Sequence, residues 1–100
     1  TACRLTLDCV NTHWGKPPLL QIDINDKARY RFQLPKGASD DALTDPHAGK
    51  EFVLSLPFPG NHLRAGANWI TLTVVAGSWL LFDTLKLETG VRLPQGPVVV

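Results

Sequence analysis

The most regular feature of this chain is an alternation of apolar and polar residues that returns from one end to the other. Cys3, Leu5, Leu7 and Cys9 alternate with Arg4, Thr6 and Asp8; Leu20, Ile22 and Ile24 with Gln21 and Asp23; Tyr30, Phe32 and Leu34 with Arg29, Arg31 and Gln33. Successive side chains of an extended chain point to opposite faces, so such runs read as half-buried strands. The pattern predicts strands over residues 2–10, 19–25, 29–34, 51–58, 69–75 and 79–88. No stretch keeps a helical stripe. The expected fold class is therefore all-β, an antiparallel β-sandwich or jelly roll of six to eight strands.

Turn chemistry separates these runs. Asn25-Asp26 suits a tight hairpin because both residues tolerate positive φ. Ala76-Gly77-Ser78 is expected to join the last two strands as a second hairpin, and residues 62–66 to form one helical turn ended by Gly66. Residues 35–50, rich in Gly, Asp and Pro, read as a long surface loop. One domain is expected over residues 1–90, with residues 91–100 as an edge strand or linker tail.

Composition narrows the function classes. Of the 100 residues, 44% are apolar and 19% charged, at a formal net charge of +1, which suits a globular domain. Ten basic residues scattered among nine acidic ones give no stripe to track phosphates, so no nucleic-acid partner is expected. No apolar run nears the roughly 20 residues of a membrane helix. Methionine is absent, even from position 1, which reads as a domain excised from a larger polypeptide. On one extended strand Cys3 and Cys9 lie about 20 Å apart, beyond the ~7 Å reach of a disulfide, so two free, buried cysteines are expected.

No catalytic set can be assembled. Asp40, Asp41 and Asp45 fall in the long loop, with no strand to fix the separation a carboxylate pair needs. His13, His47 and His62 fall in three separate connections without metal-ligand spacing, and Ser39, Ser55 and Ser78 have no recognisable base. No metal site and no required cofactor follow.

Residues 58–88, FPGNHLRAGANWITLTVVAGSWLLFDTLKLE, carry a more specific pattern. Leu63, Gly66, Asn68, Ile70 and Leu72 form an "L..G.N.ITLT" stretch, and Phe82, Asp83, Leu85, Leu87 and Glu88 a closing strand of the type "YD.IRLE". Leu20 to Asp26 looks like an "L.V.VNG" strand, with Asp26 where glycine is usual. This resembles the carbohydrate-binding-like jelly-roll domain at the C-terminus of rhamnogalacturonan lyases. The resemblance spans most of the chain and is sharp in its last third. It implies a galactose-binding-like sandwich, a secreted or cell-surface protein and an upstream catalytic domain in the same chain. Such modules often carry a structural calcium, to which Asp23, Asp26, Asp40 or Asp41 can contribute.

Sugar recognition needs an aromatic face for pyranose C–H groups, ringed by hydrogen-bonding side chains. Asn11, His13, Trp14 and Lys16 offer that set in one loop, with Trp14 either stacking on sugar or capping the sandwich. Trp79 can join the same rim or the core, and Arg29 and Arg31 share a strand face suited to an acidic uronate. Trp69, beside Thr71 and Thr73, is expected under a loop or against another domain, and Asp83, aligned with Leu81 and Leu85, is expected to be buried and paired. The expected function is a non-catalytic carbohydrate-binding module with a polysaccharide or oligosaccharide ligand; the alternative is a structural buttress without sugar affinity.

Overall fold

The computed structural model describes residues 2–38 and 49–91. Among the described residues six strands follow in order: β1 (Ala2–Thr12), β2 (Leu19–Ile24), β3 (Ala28–Gln33), β4 (Phe52–Pro59), β5 (Ile70–Ala76) and β6 (Leu80–Val91), with a 3₁₀ turn at Gly60–His62. They form two antiparallel three-stranded sheets, β4-β1-β6 and β3-β2-β5. The all-β sandwich follows directly from the alternation. Leu5 pairs across β1 with Leu56 and Leu87, and Ile22 across β2 with Tyr30 and Leu72, so apolar residues meet on the two inner faces.

The core is Cys3, Leu5, Leu7, Cys9, Leu20, Ile22, Ile24, Leu34, Leu54, Leu56 and Phe58. Both cysteines are buried and free, as their spacing requires. Burial, with the nearby Asp8 charge, pushes the Cys9 thiol up to about 11. The β2–β3 connection takes three residues, with Asn25 at φ 51° in the left-handed region and the Lys27 N–H donating to the Ile24 carbonyl.

Three expectations are corrected. The chain segments on either side of Gly77 do not form a hairpin: β5 lies in one sheet and β6 in the other. The short connection turns a corner between layers, and its conformation rests on Gly77 at φ 78°, where an added Cβ would lie 2.9 Å from Pro18 Cα and closer still to the Pro17 carbonyl oxygen. Asp83 is exposed, not buried. Asp8 pairs with Thr84 and Cys9 with Phe82, so Asp83 is the extra residue of a bulge and the alternation changes phase there. The expected helical turn lies earlier, at Gly60–His62, and Gly66 takes φ 86° beyond it. Most of the long loop, with Asp40, Asp41, Asp45 and His47, and all but the first residue of the tail fall outside the described residues.

Candidate functional site

The strand order decides which polar residues meet. With β2 between β3 and β5, the outward residues of three segments make one surface: Arg29 and Arg31 from β3, Asp23 and Gln21 from β2, Thr71 and Thr73 from β5. Cross-strand pairing sets Arg29, Asp23 and Thr71 in one row and Arg31, Gln21 and Thr73 in the next. Arg29 Nε donates to Asp23 Oδ1 at 2.7 Å, Gln21 Nε2 to Asp23 Oδ2 at 2.9 Å, and Arg31 Nε to Gln21 Oε1 at 2.9 Å. The Arg29 hydrogen bond, then that of Gln21, holds the Asp23 carboxyl below its ordinary value. Each guanidinium is thus oriented through Nε on an exposed residue, and the Arg29 side chain is 63% exposed.

Trp69 closes one end of this surface. Its N–H donates to Asn25 Oδ1 at 2.9 Å and its carbonyl accepts from the Asn25 N–H at 2.7 Å, which ties it to the β2–β3 turn. Asn25 Nδ2 also donates to the His62 carbonyl at 2.7 Å and to Asn68 Oδ1 at 3.0 Å. Asn68 in turn accepts from Arg64 N–H at 2.8 Å and donates to the Arg64 carbonyl at 2.9 Å, folding the loop back on itself around Gly66. Arg64 Nε is fixed on the Ala67 carbonyl at 2.8 Å. The result is an open groove of about 590 Å³ lined by Asp23, Asn25, Asp26, Lys27, Ala28, Arg29, Arg64, Trp69 and Thr71. That volume lies within the usual range of small-molecule sites. Three cations and two carboxylates line it, and Trp69 is 68% exposed.

The loop residues singled out by sequence gather at the other end of β2, about 17 Å away at the rise of an extended strand. His13 stacks on Trp14 with ring centroids 6.3 Å apart and meets Trp79 edge-on at 5.9 Å. His13 Nδ1 accepts the N–H groups of Gly15 and Lys16 at 3.2 and 2.7 Å, so this ring shapes its own turn. Trp14 is 57% exposed, Lys16 is exposed and Trp79 is half-buried. Asn11 lies apart from them: fully buried, it receives the Ala38 and Lys50 N–H groups at 2.8 and 3.2 Å on Oδ1 and pins both ends of the long loop. The fold therefore brings His13, Trp14, Lys16 and Trp79 together, places Arg29 and Arg31 on the distant groove surface, and turns Asn11 inward.

The groove residues Trp69, Arg64 and Thr71 were not among the residues expected to bind, and Asp23 was expected only as a contributor to a calcium site. Alternation had set Trp69 outward with Thr71 and Thr73; what it lacks is the neighbour strand that supplies the arginines. Of the two packings expected for Trp69, cover by a loop is absent among the described residues. A carboxylate pair does exist elsewhere, on the outer face of the other sheet. There a hydrogen bond with Asp8, then its charge, raises Glu51 above its ordinary value. Among the described residues no three His, Cys, Asp or Glu side chains converge to hold a metal ion. No family model, no curated protein and no solved structure matches this chain.

Proposed function

We propose that this domain is a non-catalytic carbohydrate-binding module, or module-like accessory domain, of a secreted polysaccharide-degrading enzyme, and that the Trp69 groove is its binding surface. The observation that carries the reading is one exposed indole at the end of a grid of pre-oriented guanidinium, carboxylate and hydroxyl groups. The indole face takes the C–H face of a sugar ring. Asp23 and Thr71 accept from or donate to ring hydroxyls, and Arg29 and Arg64 pair with a carboxylate. The cationic excess favours a uronate-bearing glycan, and the resemblance of residues 58–88 to rhamnogalacturonan lyase domains points the same way, to a pectic polymer. The parent chain would then be a polysaccharide lyase or glycoside hydrolase.

One shallow groove with a single stacking ring gives weak affinity, of order 0.1 to 1 mM, or about −4 to −5.5 kcal/mol. Weak binding suffices when attachment raises the local substrate concentration at a catalytic domain. Affinity gel electrophoresis on rhamnogalacturonan, homogalacturonan and xylan tests the reading. The expected result is retardation by a uronate polymer that Trp69→Ala reduces about tenfold or more and that Trp14→Ala leaves unchanged. Equal retardation of wild type and Trp69→Ala would remove the groove from the account.

A structural buttress is the second reading, favoured by the same exposed Trp69, which can pack against a neighbouring domain. It predicts no retardation by any polymer from a domain shown to be folded.

A further inference from the structure

Among the described residues the sandwich is closed on one side and open on the other. At the β3/β4 side the inner residues Leu54, Leu56 and Phe58 are 8%, 5% and 3% exposed. At the β5/β6 side the inner residues Val74, Phe82, Leu85 and Leu87 are 43%, 44%, 43% and 42% exposed, although each stands opposite a buried partner: Leu20, Cys9, Leu7 and Leu5. Between the two edge strands a cleft of about 310 Å³ reaches down to buried Leu20. β6 uses one edge to pair with β1; its other edge has no strand against it among the described residues. An apolar inner row beside a free backbone edge is a template for another strand. The sugar groove, on the outer face of the β2 sheet, uses none of these residues.

We infer that this edge pairs with β6 of a second copy of the chain, joining two sheets into one continuous six-stranded sheet. A two-fold axis normal to the sheet sets identical strands antiparallel, the pairing that every described strand pair of this molecule uses. The charges on β6 select the register. Lys86 and Glu88 project from the outer face, opposite Thr6 and Arg4, and flank Leu87. Pairing centred on Leu87 puts Lys86 opposite Glu88 of the copy, and Glu88 opposite its Lys86, while the two Leu87 side chains meet on the inner face. A centre on Lys86 would oppose like charges. With residues 83–91 overlapping, the contact is about 30 Å long at the strand rise. Across the 21 Å narrow dimension of the molecule, that length gives about 600 Å² per copy, at the lower end of specific interfaces.

Sedimentation equilibrium on the chain from about 10 µM to 1 mM, the range expected of a small interface, tests this. The wild type should dimerise. Lys86→Glu, which sets four carboxylates together at the two-fold, should weaken dimerisation about tenfold or more, and the double swap Lys86→Glu/Glu88→Lys should restore it, since the exchanged pairs are complementary again. Both substitutions are on exposed or half-exposed surface, and circular dichroism checks that each variant folds. A wild type that stays monomeric throughout, or a dimer indifferent to Lys86→Glu, or a double swap as weak as the single variant, overturns the inference. Sugar retardation of the same samples reads the groove independently, so failure of one does not carry over to the other.

Discussion

Asn25 is the residue whose removal tests most of the local account at once. It adopts φ 51°, and its side chain receives the Trp69 N–H while donating to the His62 carbonyl and to Asn68 Oδ1. Asn25→Ala removes three hydrogen bonds, two exposed and one part-buried; they contribute near the low end of the usual range, about 1.5 kcal/mol together. Alanine in the left-handed region adds about 1 to 2 kcal/mol. The sum is about 3 kcal/mol, a large part of the stability of an ordinary domain. Asn25→Gly loses the same bonds without that strain, but its freer unfolded chain returns about 0.4 to 1 kcal/mol of the difference. Glycine should therefore stand about 0.5 to 1 kcal/mol above alanine. Asn25→Asp keeps the acceptor for Trp69 N–H and should lie nearest the wild type. Urea titration followed by tryptophan fluorescence resolves the series, with the alanine midpoint lowered by about 2 M for a domain of this size. If alanine and glycine variants coincide, or both unfold with the wild type, the argument from φ and from the hydrogen bonds is refuted.

Other perturbations read other parts of the fold. Gly77→Ala should cost about 2 kcal/mol or more, because a Cβ there meets the Pro17 and Pro18 backbone at a positive φ; an unchanged thermal midpoint would mean that the corner between β5 and β6 is not as described. Gly37→Ala should also destabilise, since its Cβ would run into the Thr12 carbonyl and the Asn11 amide oxygen. Cys3 and Cys9 should resist a thiol reagent at pH 8 in the native protein and both react in urea, read by absorbance of the released thiolate. Because the Cys9 pKa is raised by folding, its contribution is complete below the ordinary 9.0 and is lost as pH rises toward about 11, so urea stability should fall over that alkaline interval and a Cys9→Ala variant should lack this component.

Alternation made the six strands legible because each buries one face, and a half-buried strand writes its inner residues into every second position. The ends moved by a few residues where backbone pairing, invisible in side-chain pattern, extends a strand: β6 runs to Val91 because β1 still pairs with it there. Two things were not legible. A glycine-centred turn looks the same whether the strands beside it pair or part into separate layers, and only packing around Pro17 and Pro18 distinguishes the cases at Gly77. The single extra residue Asp83 likewise left the pattern looking regular while reversing its phase. The groove was hidden for a related reason. Arg29, Asp23 and Trp69 each carried an outward-facing signal, but their meeting depends on β2 lying between β3 and β5, a long-range property of the chain. The loop cluster was easier to find because His13, Trp14 and Lys16 are neighbours in sequence.

The central claim is that a uronate-bearing glycan lies in the groove beside Trp69, and the most direct measurement is a titration of the ¹⁵N-labelled domain with oligogalacturonate and rhamnogalacturonan fragments, followed by amide and indole N–H shifts. The account predicts saturable shifts concentrated on Asp23, Arg29, Arg64, Thr71 and the Trp69 indole, with His13, Trp14 and Trp79 unmoved. Shifts confined to the Trp14 end would place the site on the other surface. A spectrum of the folded domain that no fragment perturbs would contradict the claim outright.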